Sequence, residues 1–160
     1  AYALSYGGGN APNGAGRVCP RERTRKRMGA MTKIDLLTDR LVIEPVGWHK
    51  VWSQRRRIDV PYADIVSVTQ DYRLAENGPS GMRFPGANLP GVYLAGTFWK
   101  FWGAEHVRSF WLRRHAENCI TLRLRSHHFD YITVEVDDPA AEIAAIRATM
   151  QAHGYPSTAA

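Results

Sequence analysis

A group of histidines close together in the sequence is the first feature that could do chemistry. His127, His128 and Asp130 could ligate a metal ion, with His106 and His115 nearby along the chain. Adjacent histidines on an extended chain point to opposite faces, and their spacing matches none of the compact zinc patterns. We therefore expect a polar turn between two strands here, with no metal site and no cofactor.

Nucleophilic and acid–base catalysis find little support in the sequence. Cys119 begins an alternating apolar run, which predicts a buried and inert thiol, and no G-x-S-x-G elbow occurs. Asp137 and Asp138 precede a predicted helix, where capping accounts for a carboxylate. We expect no catalytic residues. A small hydrolase-type site assembled from residues distant in sequence is kept as an alternative.

An aromatic segment around Lys100 is the most unusual part of the body. Its rings fall on both faces of a predicted hairpin, so one face can enter the core while the other presents an aromatic patch beside a basic residue. Such a patch suits a protein interface or insertion among lipid headgroups. The alternative is that all of these rings cover the core. The rings are those of Phe98, Trp99, Phe101, Trp102, Phe110 and Trp111. Trp99, Lys100 and Trp102 are the candidate binding residues.

A Gly- and Pro-rich segment at residues 75–91 is longer than a plain hairpin loop. A phosphate-binding loop would lead into a helix and carry a Lys followed by Ser or Thr, whereas this segment leads into Val92, Tyr93 and Leu94. We therefore expect an insert that is mobile or contacts a ligand, and not a nucleotide site.

The positive charge is concentrated at the start of the chain. The chain holds 21 Lys and Arg against 15 Asp and Glu, yet seven of the basic residues and one acidic residue precede Ile34. The body is therefore electrically balanced, which gives no reason to expect specific nucleic-acid binding. The composition of residues 1–32 predicts a disordered tail that contacts polyanions without specificity. The alternative is that these residues are additional sequence ahead of a natural start at Met28 or Met31.

The part of the chain after the tail must position these residues, and its sequence predicts seven strands and a final helix. Apolar segments of strand length alternate with polar or Gly/Pro breaks. The predicted strands cover residues 36–44, 50–60, 65–71, 91–100, 107–114, 119–125 and 131–136. We expect the last three to form a meander, with a hairpin turn at 115–118 and Asn118 at positive φ.

The final helix has a clear start and one apolar face. Asp138 is the expected N-cap, and Pro139 suits the first helical position. Ile143, Ile146 and Met150 then share one face. Such a helix is expected to lay that face on the sheet.

Two segments of this body resemble the pleckstrin-homology-like (PH-like) domains of bacteria. Residues 57–68 are similar to that family's I-P-Y-x-D-I-x-x-V junction between its second and third strands, and residues 132–139 are similar to its last strand entering the helix. The resemblance implies a mainly β, seven-stranded antiparallel, partly open barrel capped by the C-terminal helix. It assigns residues 33–154 to the domain and leaves 155–160 as a disordered C-terminus.

A second candidate patch lies at residues 48–57. Lys50, Arg55 and Arg57 are similar in type to the residues that hold phosphoinositide phosphates in eukaryotic PH domains, and Trp48 and Trp52 lie beside them. Anionic lipid headgroups are one candidate ligand. A solvated, self-paired face is the alternative.

Together these patterns predict a non-catalytic PH-like binding module that takes a protein segment or a small ligand through its sheet edge, aromatic hairpin or insert. A protein partner or self-association is expected, and peripheral association with an anionic membrane surface is the alternative. No apolar run reaches the length of a membrane-spanning helix, and only two cysteines occur. We therefore expect a cytoplasmic protein without a disulfide framework.

Overall fold

The computed structural model describes residues 31–47, 57–79, 81–89, 93–101 and 106–156, with the backbone alone over 83–89. The described chain is mainly β, with strands in two sheets and a long helix at its C-terminal end. Residues 1–30 of the predicted tail and residues 48–56 of the candidate patch at 48–57 lie outside the described residues.

The smaller sheet has three antiparallel strands in the order β1–β2–β3. Its strands are β1 (Thr32–Leu36), β2 (Arg40–Pro45) and β3 (Ile58–Pro61). The single strand predicted at 36–44 is wrong. The chain turns between β1 and β2, where the Leu37 amide donates to the Arg40 carbonyl at 2.9 Å. The predicted tail boundary also moves, because Met31 is already buried in the core.

The larger sheet has six strands in the order β4–β8–β9–β7–β6–β5. They are β4 (Ile65–Thr69), β5 (Met82–Leu89), β6 (Tyr93–Lys100), β7 (Val107–Arg113), β8 (Cys119–Leu124) and β9 (Tyr131–Glu135). β9 lies between β7 and β8 and runs parallel to β7, so the expected meander is wrong.

The burial of β9 explains why it takes a central position. Ile132, Thr133, Val134 and Glu135 are all buried, so both faces of the strand need cover. A strand buried on both faces favours the interior of a sheet. The connection from β7 to β8 is a 3₁₀ turn, Ala116–Asn118, and not a hairpin, and Asn118 does not have positive φ.

The described residues include two α-helices beside the sheets. α1 (Tyr72–Asn77) was not predicted, and α2 (Pro139–Ala152) is the expected final helix. The Asp138 carboxylate accepts from the Ala141 amide at 3.1 Å, which confirms the predicted N-cap. Ile146 and Met150 are buried and Ile143 packs beside them, which confirms the predicted apolar face. No helix among the described residues is long and apolar enough to cross a membrane.

Both sheets and α2 enclose one hydrophobic core. Its members include Leu41, Ile43, Val60, Ala95, Phe110, Leu112, Ile120, Leu122, Ile132, Val134, Ile146 and Met150. Tyr155 packs on this core, with its ring centroid 5.8 Å from that of Tyr62, so ordered packing continues past residue 154. On the opposite face of β6 and β7, Leu74 of α1 covers a second cluster, formed by Leu94, Phe98 and Trp111.

The structure differs from the predicted barrel in strand number and closure. The described residues form nine strands, and no strand pairing among them joins the two sheets, so the sheet is not closed into a barrel. The described part of the segment predicted as an insert at 75–91 contributes the end of α1 and the strand β5, which pairs with β6. Proline is compatible with this strand because Pro85 lies in an irregularity of the pairing between Arg83 and Gly86, at the edge of the sheet.

Candidate ligand-binding cleft

A cleft of about 280 Å³ opens at one end of β6 and β7. The strands contribute Trp99, Lys100 and Arg108, and the loop between β8 and β9 contributes His127, His128 and Asp130. Phe101, His106 and Val107 complete its lining. We name this group of nine residues the cleft.

Arg108 and Trp99 form the floor of the cleft because of the strand register. The two residues are direct partners in the β6–β7 pairing and therefore share a face of the sheet. That face is the core face, since Phe110 and Leu112 follow Arg108 at two-residue steps. The Arg108 guanidinium carbon lies 3.9 Å from the Trp99 ring centroid. This cation–π contact holds the Arg108 guanidinium at the end of the sheet, beyond the last core residues of β7.

The loop between β8 and β9 is held firmly against β7. The Phe129 ring is buried and lies 5.8 Å from the ring of Phe110, centroid to centroid. The Asp130 amide donates to the Arg108 carbonyl at 2.8 Å, and the Asp130 carboxylate accepts from the Arg108 amide at 2.7 Å. Ser126 has φ +58°, a left-handed conformation that serine adopts at a cost. Buried packing and paired hydrogen bonds offset that cost.

His127 connects this loop to the smaller sheet. Its Nδ1 accepts from the Phe129 amide at 3.2 Å, which leaves Nε2 to donate to the Asp59 carbonyl of β3 at 3.1 Å. Both ring nitrogens are therefore used, and the ring is neutral in this arrangement. His127 acts as a structural tie beneath the cleft.

His128 faces Arg108 across the cleft. One terminal guanidinium nitrogen, Nη1, lies 2.7 Å from His128 Nδ1 and 3.2 Å from Nε2, and 3.4 Å from the His128 carbonyl. A guanidinium can only donate, so the imidazole nitrogen facing it accepts and the ring is neutral. Arg108 is thus held between an aromatic face and a neutral acceptor.

Cationic side chains outnumber the carboxylates in the cleft. Lys100 and Arg108 are positive, and Asp130 is the one carboxylate among the described lining residues. Asp130 already accepts from a backbone amide. Neither Lys100 nor His106 forms an ion pair with another residue of the described ranges. The cleft is therefore suited to an anionic group.

The cleft is less suited to nucleophilic chemistry. The described residues that line it include no hydroxyl or thiol. Both ring nitrogens of His127 are hydrogen-bonded to backbone groups of the protein, and His128 faces Arg108. Within the described parts of the chain, no three His, Cys, Asp or Glu side chains are grouped so as to hold a metal ion.

A second polar group lies at the opposite end of β7, where Glu135 and Cys119 are buried and His115 is exposed. Glu135 is 6% exposed, and its carboxylate accepts from the amides of Arg114 at 2.5 Å and His115 at 2.7 Å. Its other oxygen lies 3.1 Å from His115 Nδ1. The Cys119 thiol donates to the His115 carbonyl, and burial raises its pKa to about 12. The prediction that this thiol is buried is confirmed, and its inertness stays a prediction.

The structure brings only some of the predicted site residues together. Trp99 and Lys100 line the cleft. Arg57 lies directly before β3, where it pairs with Asp59 at 2.6 Å and lowers the pKa of that carboxyl. Trp48, Lys50, Trp52, Arg55 and Trp102 lie outside the described residues.

The aromatic segment divides between core and cleft. Phe98, Phe110 and Trp111 are buried, whereas Phe101 is exposed and Trp99 is partly exposed. Neither alternative holds for the whole segment, because β6 and β7 are covered on both faces along most of their length but not at this end.

Sequence reasoning missed Arg108 and treated the neighbouring histidines only as possible metal ligands. The sequence did contain a signal for Arg108. Trp99 lies one residue before the end of β6 and Arg108 lies one residue after the start of β7, so the two are at equal distances from the connection. Hairpin pairing would have placed the two residues opposite each other. His127 and His128 carried no such signal, because their partners are on β3 and β7.

No family model, curated protein or solved structure matches this chain.

Proposed function

We propose that this chain is a non-catalytic binding module, and that the cleft takes a small ligand or a side chain of a partner segment. The observation that carries the proposal is Arg108, which is held over Trp99 and against His128 at the floor of an open cleft. Polar groups that converge beside aromatic side chains can fix the orientation of a bound ligand.

The protein's own hydrogen bonds favour binding over catalysis. A general base needs a nitrogen or oxygen that can reach a substrate proton. His127 is fully engaged, and Asp130 accepts from the Arg108 amide. His127 and Asp130 are therefore engaged in holding the cleft together, which favours a binding role over the activation of a nucleophile.

Membership of the PH-like family is part of the same proposal. The junction from β3 through Pro61 and Tyr62 into β4, and the last strand leading into α2, support it. The parallel pairing of β7 with β9 differs from the purely antiparallel barrel that the resemblance implies.

The lipid-binding alternative relies on a different surface. Of its basic residues, Arg57 is described, and it is paired with Asp59. An exposed arginine that already has a carboxylate partner gains little from a second anion. For this reason the proposal places the ligand in the cleft.

The proposal is tested by screening the full chain against a set of small cationic, neutral and anionic compounds and short peptides. Binding is followed by NMR at the indole N–H of Trp99 and the backbone amides of Arg108 and His128. Compounds should shift these signals together. Arg108→Gln should weaken their binding, whereas Arg40→Gln, on an exposed arginine at the start of β2, should not.

A screen in which no compound shifts the cleft signals contradicts the proposal. Chemical turnover of a bound compound would instead favour the hydrolase alternative.

A further inference from the structure

We infer that the ligand of the cleft is a monocarboxylate carried on an apolar, ring-sized group. This inference rests on the proposed function and specifies the ligand class of the same site. Three features carry it: the charge of the cleft, the presentation of Arg108 and the apolar surface beside it.

The charge of the cleft matches one negative charge. Lys100 and Arg108 contribute two positive charges, and Asp130 offsets one of them. His127 and His128 are neutral in the observed hydrogen bonds, and His106, the third histidine of the lining, is counted as neutral in the formal charge at pH 7. A single carboxylate completes this balance, whereas a dianion would bring excess negative charge close to Asp130.

Arg108 is presented in a way that suits a carboxylate. Its backbone is fixed by the bonds to Asp130, and its guanidinium lies over Trp99. Its present side-chain acceptors, the ring and carbonyl of His128, are uncharged. A carboxylate is a stronger acceptor and matches the planar fork of a guanidinium with two parallel hydrogen bonds. An incoming carboxylate therefore competes with His128 for a group that is already in position.

Apolar surface lies directly beside this cation. The Phe101 ring is 39% exposed and lies 5.4 Å from the Trp99 ring, centroid to centroid. Met82 is 58% exposed and is the β5 partner of Trp99. An apolar group attached to the carboxylate would cover this surface and exclude water from the ion pair.

The size of the cleft limits that apolar group. Its volume of about 280 Å³ is near the lower limit of pockets that hold small ligands. One ring with a short acidic arm is a suitable size. A free aromatic acid and the C-terminal residue of a peptide share this chemistry.

The experiment compares matched compounds by calorimetric or NMR titration of the full chain at pH 7. Phenylacetate is the monocarboxylate, 2-phenylethanol is its neutral counterpart and phenyl phosphate supplies the dianion. A short peptide ending in a free Phe carboxylate, and the same peptide amidated, separate a peptide source from a free acid. Phenylacetate should bind at least about tenfold more tightly than 2-phenylethanol, as expected for a charge-assisted hydrogen bond.

Variants locate the effect at Arg108. Arg108→Gln should weaken phenylacetate binding by about tenfold or more and leave 2-phenylethanol unchanged. Arg108→Lys keeps the positive charge but lacks the planar pair of donors of a guanidinium, so it should weaken phenylacetate binding less than Arg108→Gln does. Arg40→Gln is the matched control. If Arg108→Gln does not fold, Lys100→Gln tests the charge of the same cleft.

The outcomes separate this inference from the proposed function. If 2-phenylethanol and phenylacetate bind equally well and Arg108→Gln changes neither affinity, the inference that the ligand is a carboxylate is wrong. The proposal that the cleft is a ligand site then still stands. If phenyl phosphate binds more tightly than phenylacetate, the inference that the ligand carries a single negative charge is wrong. If no compound shifts the cleft signals, the proposed function fails and the inference fails with it.

Discussion

At each end of β7 a carboxylate accepts hydrogen bonds from backbone amides of the β7 region. At one end Glu135, the last residue of β9, binds the amides of Arg114 and His115 and also faces the His115 ring. At the other end Asp130, directly before β9, binds the amide of Arg108. We call the first the closed end and the second the cleft end.

The two ends differ in the side chains that surround the carboxylate. At the closed end the carboxylate, the amides and the imidazole satisfy one another, and little of Glu135 reaches solvent. At the cleft end the Arg108 guanidinium forms no ion pair with Asp130 among the described residues, and it lies over Trp99 and against a neutral imidazole. The same backbone arrangement thus makes a structural joint in one place and leaves a positioned cation in the other.

The closed end should protect Cys119 from reagents. In a Cys19→Ser variant, iodoacetamide at pH 8 should alkylate the folded chain about a thousandfold more slowly than the urea-unfolded chain, because the thiol pKa rises from 9.0 to about 12. Mass spectrometry of the alkylated fraction measures the two rates. Rates within tenfold of each other would show that this end is open.

The same pKa shift sets a pH dependence of stability. A thiol with a raised pKa contributes fully to stability below its unfolded pKa of 9.0, and the contribution is lost as the pH rises toward about 12. The free energy of unfolding should therefore fall over this range. Cys119→Ala should flatten that part of the profile.

Substitutions on one face of β7 should separate core from cleft. Leu112 is fully buried, so Leu112→Ala should lower the free energy of unfolding by about 2–5 kcal/mol. Arg108→Gln, four residues earlier on the same face, should lower it by less than about 1 kcal/mol, the range of an accessible cation–π contact. Urea denaturation measures both. Similar losses for the two variants would mean that Arg108 is a structural residue.

The tie between the cleft loop and the smaller sheet should have an intermediate effect. His127→Ala removes two neutral hydrogen bonds and should cost about 1–2 kcal/mol. It should also increase amide hydrogen exchange at Phe129 and Asp130 while leaving Cys119 protected. Faster exchange at both ends of β7 would contradict the separation of the two ends.

The smallest effect is expected at Arg57. Its ion pair lowers the pKa of the Asp59 carboxyl below the ordinary 3.8, so its contribution is present above that pH and is lost as the pH falls through the folded pKa. NMR titration of Arg57→Gln should show the Asp59 pKa returning toward 3.8. Because both side chains are accessible, stability at pH 7 should change little, and the cleft signals should stay in place.

The sequence was most informative where a pattern is local. The cap and apolar face of α2 were predictable because Asp138 and its partner Ala141 are three residues apart. The buried thiol of Cys119 followed from simple alternation. Trp99 and Lys100 were chosen from their unusual composition, and they line the cleft.

The remaining features depend on contacts between residues far apart in the chain. The insertion of β9 between β7 and β8 follows from its burial on both faces, whereas its sequence also fits a strand with one wet face. The roles of His127 and His128 depend on Asp59 and Arg108, which approach only after the two sheets have packed. A pattern read along one strand cannot contain that information.

The central position of β9 also determines the order in which the larger sheet can be assembled. β7 and β8 are made first and are joined by a short turn, yet neither is the other's final partner. If they paired directly during synthesis, that pairing would have to open before β9 could enter. A chain that stops before Tyr131 therefore contains both strands but lacks the one that holds them together, and two strand edges are left for non-native pairing.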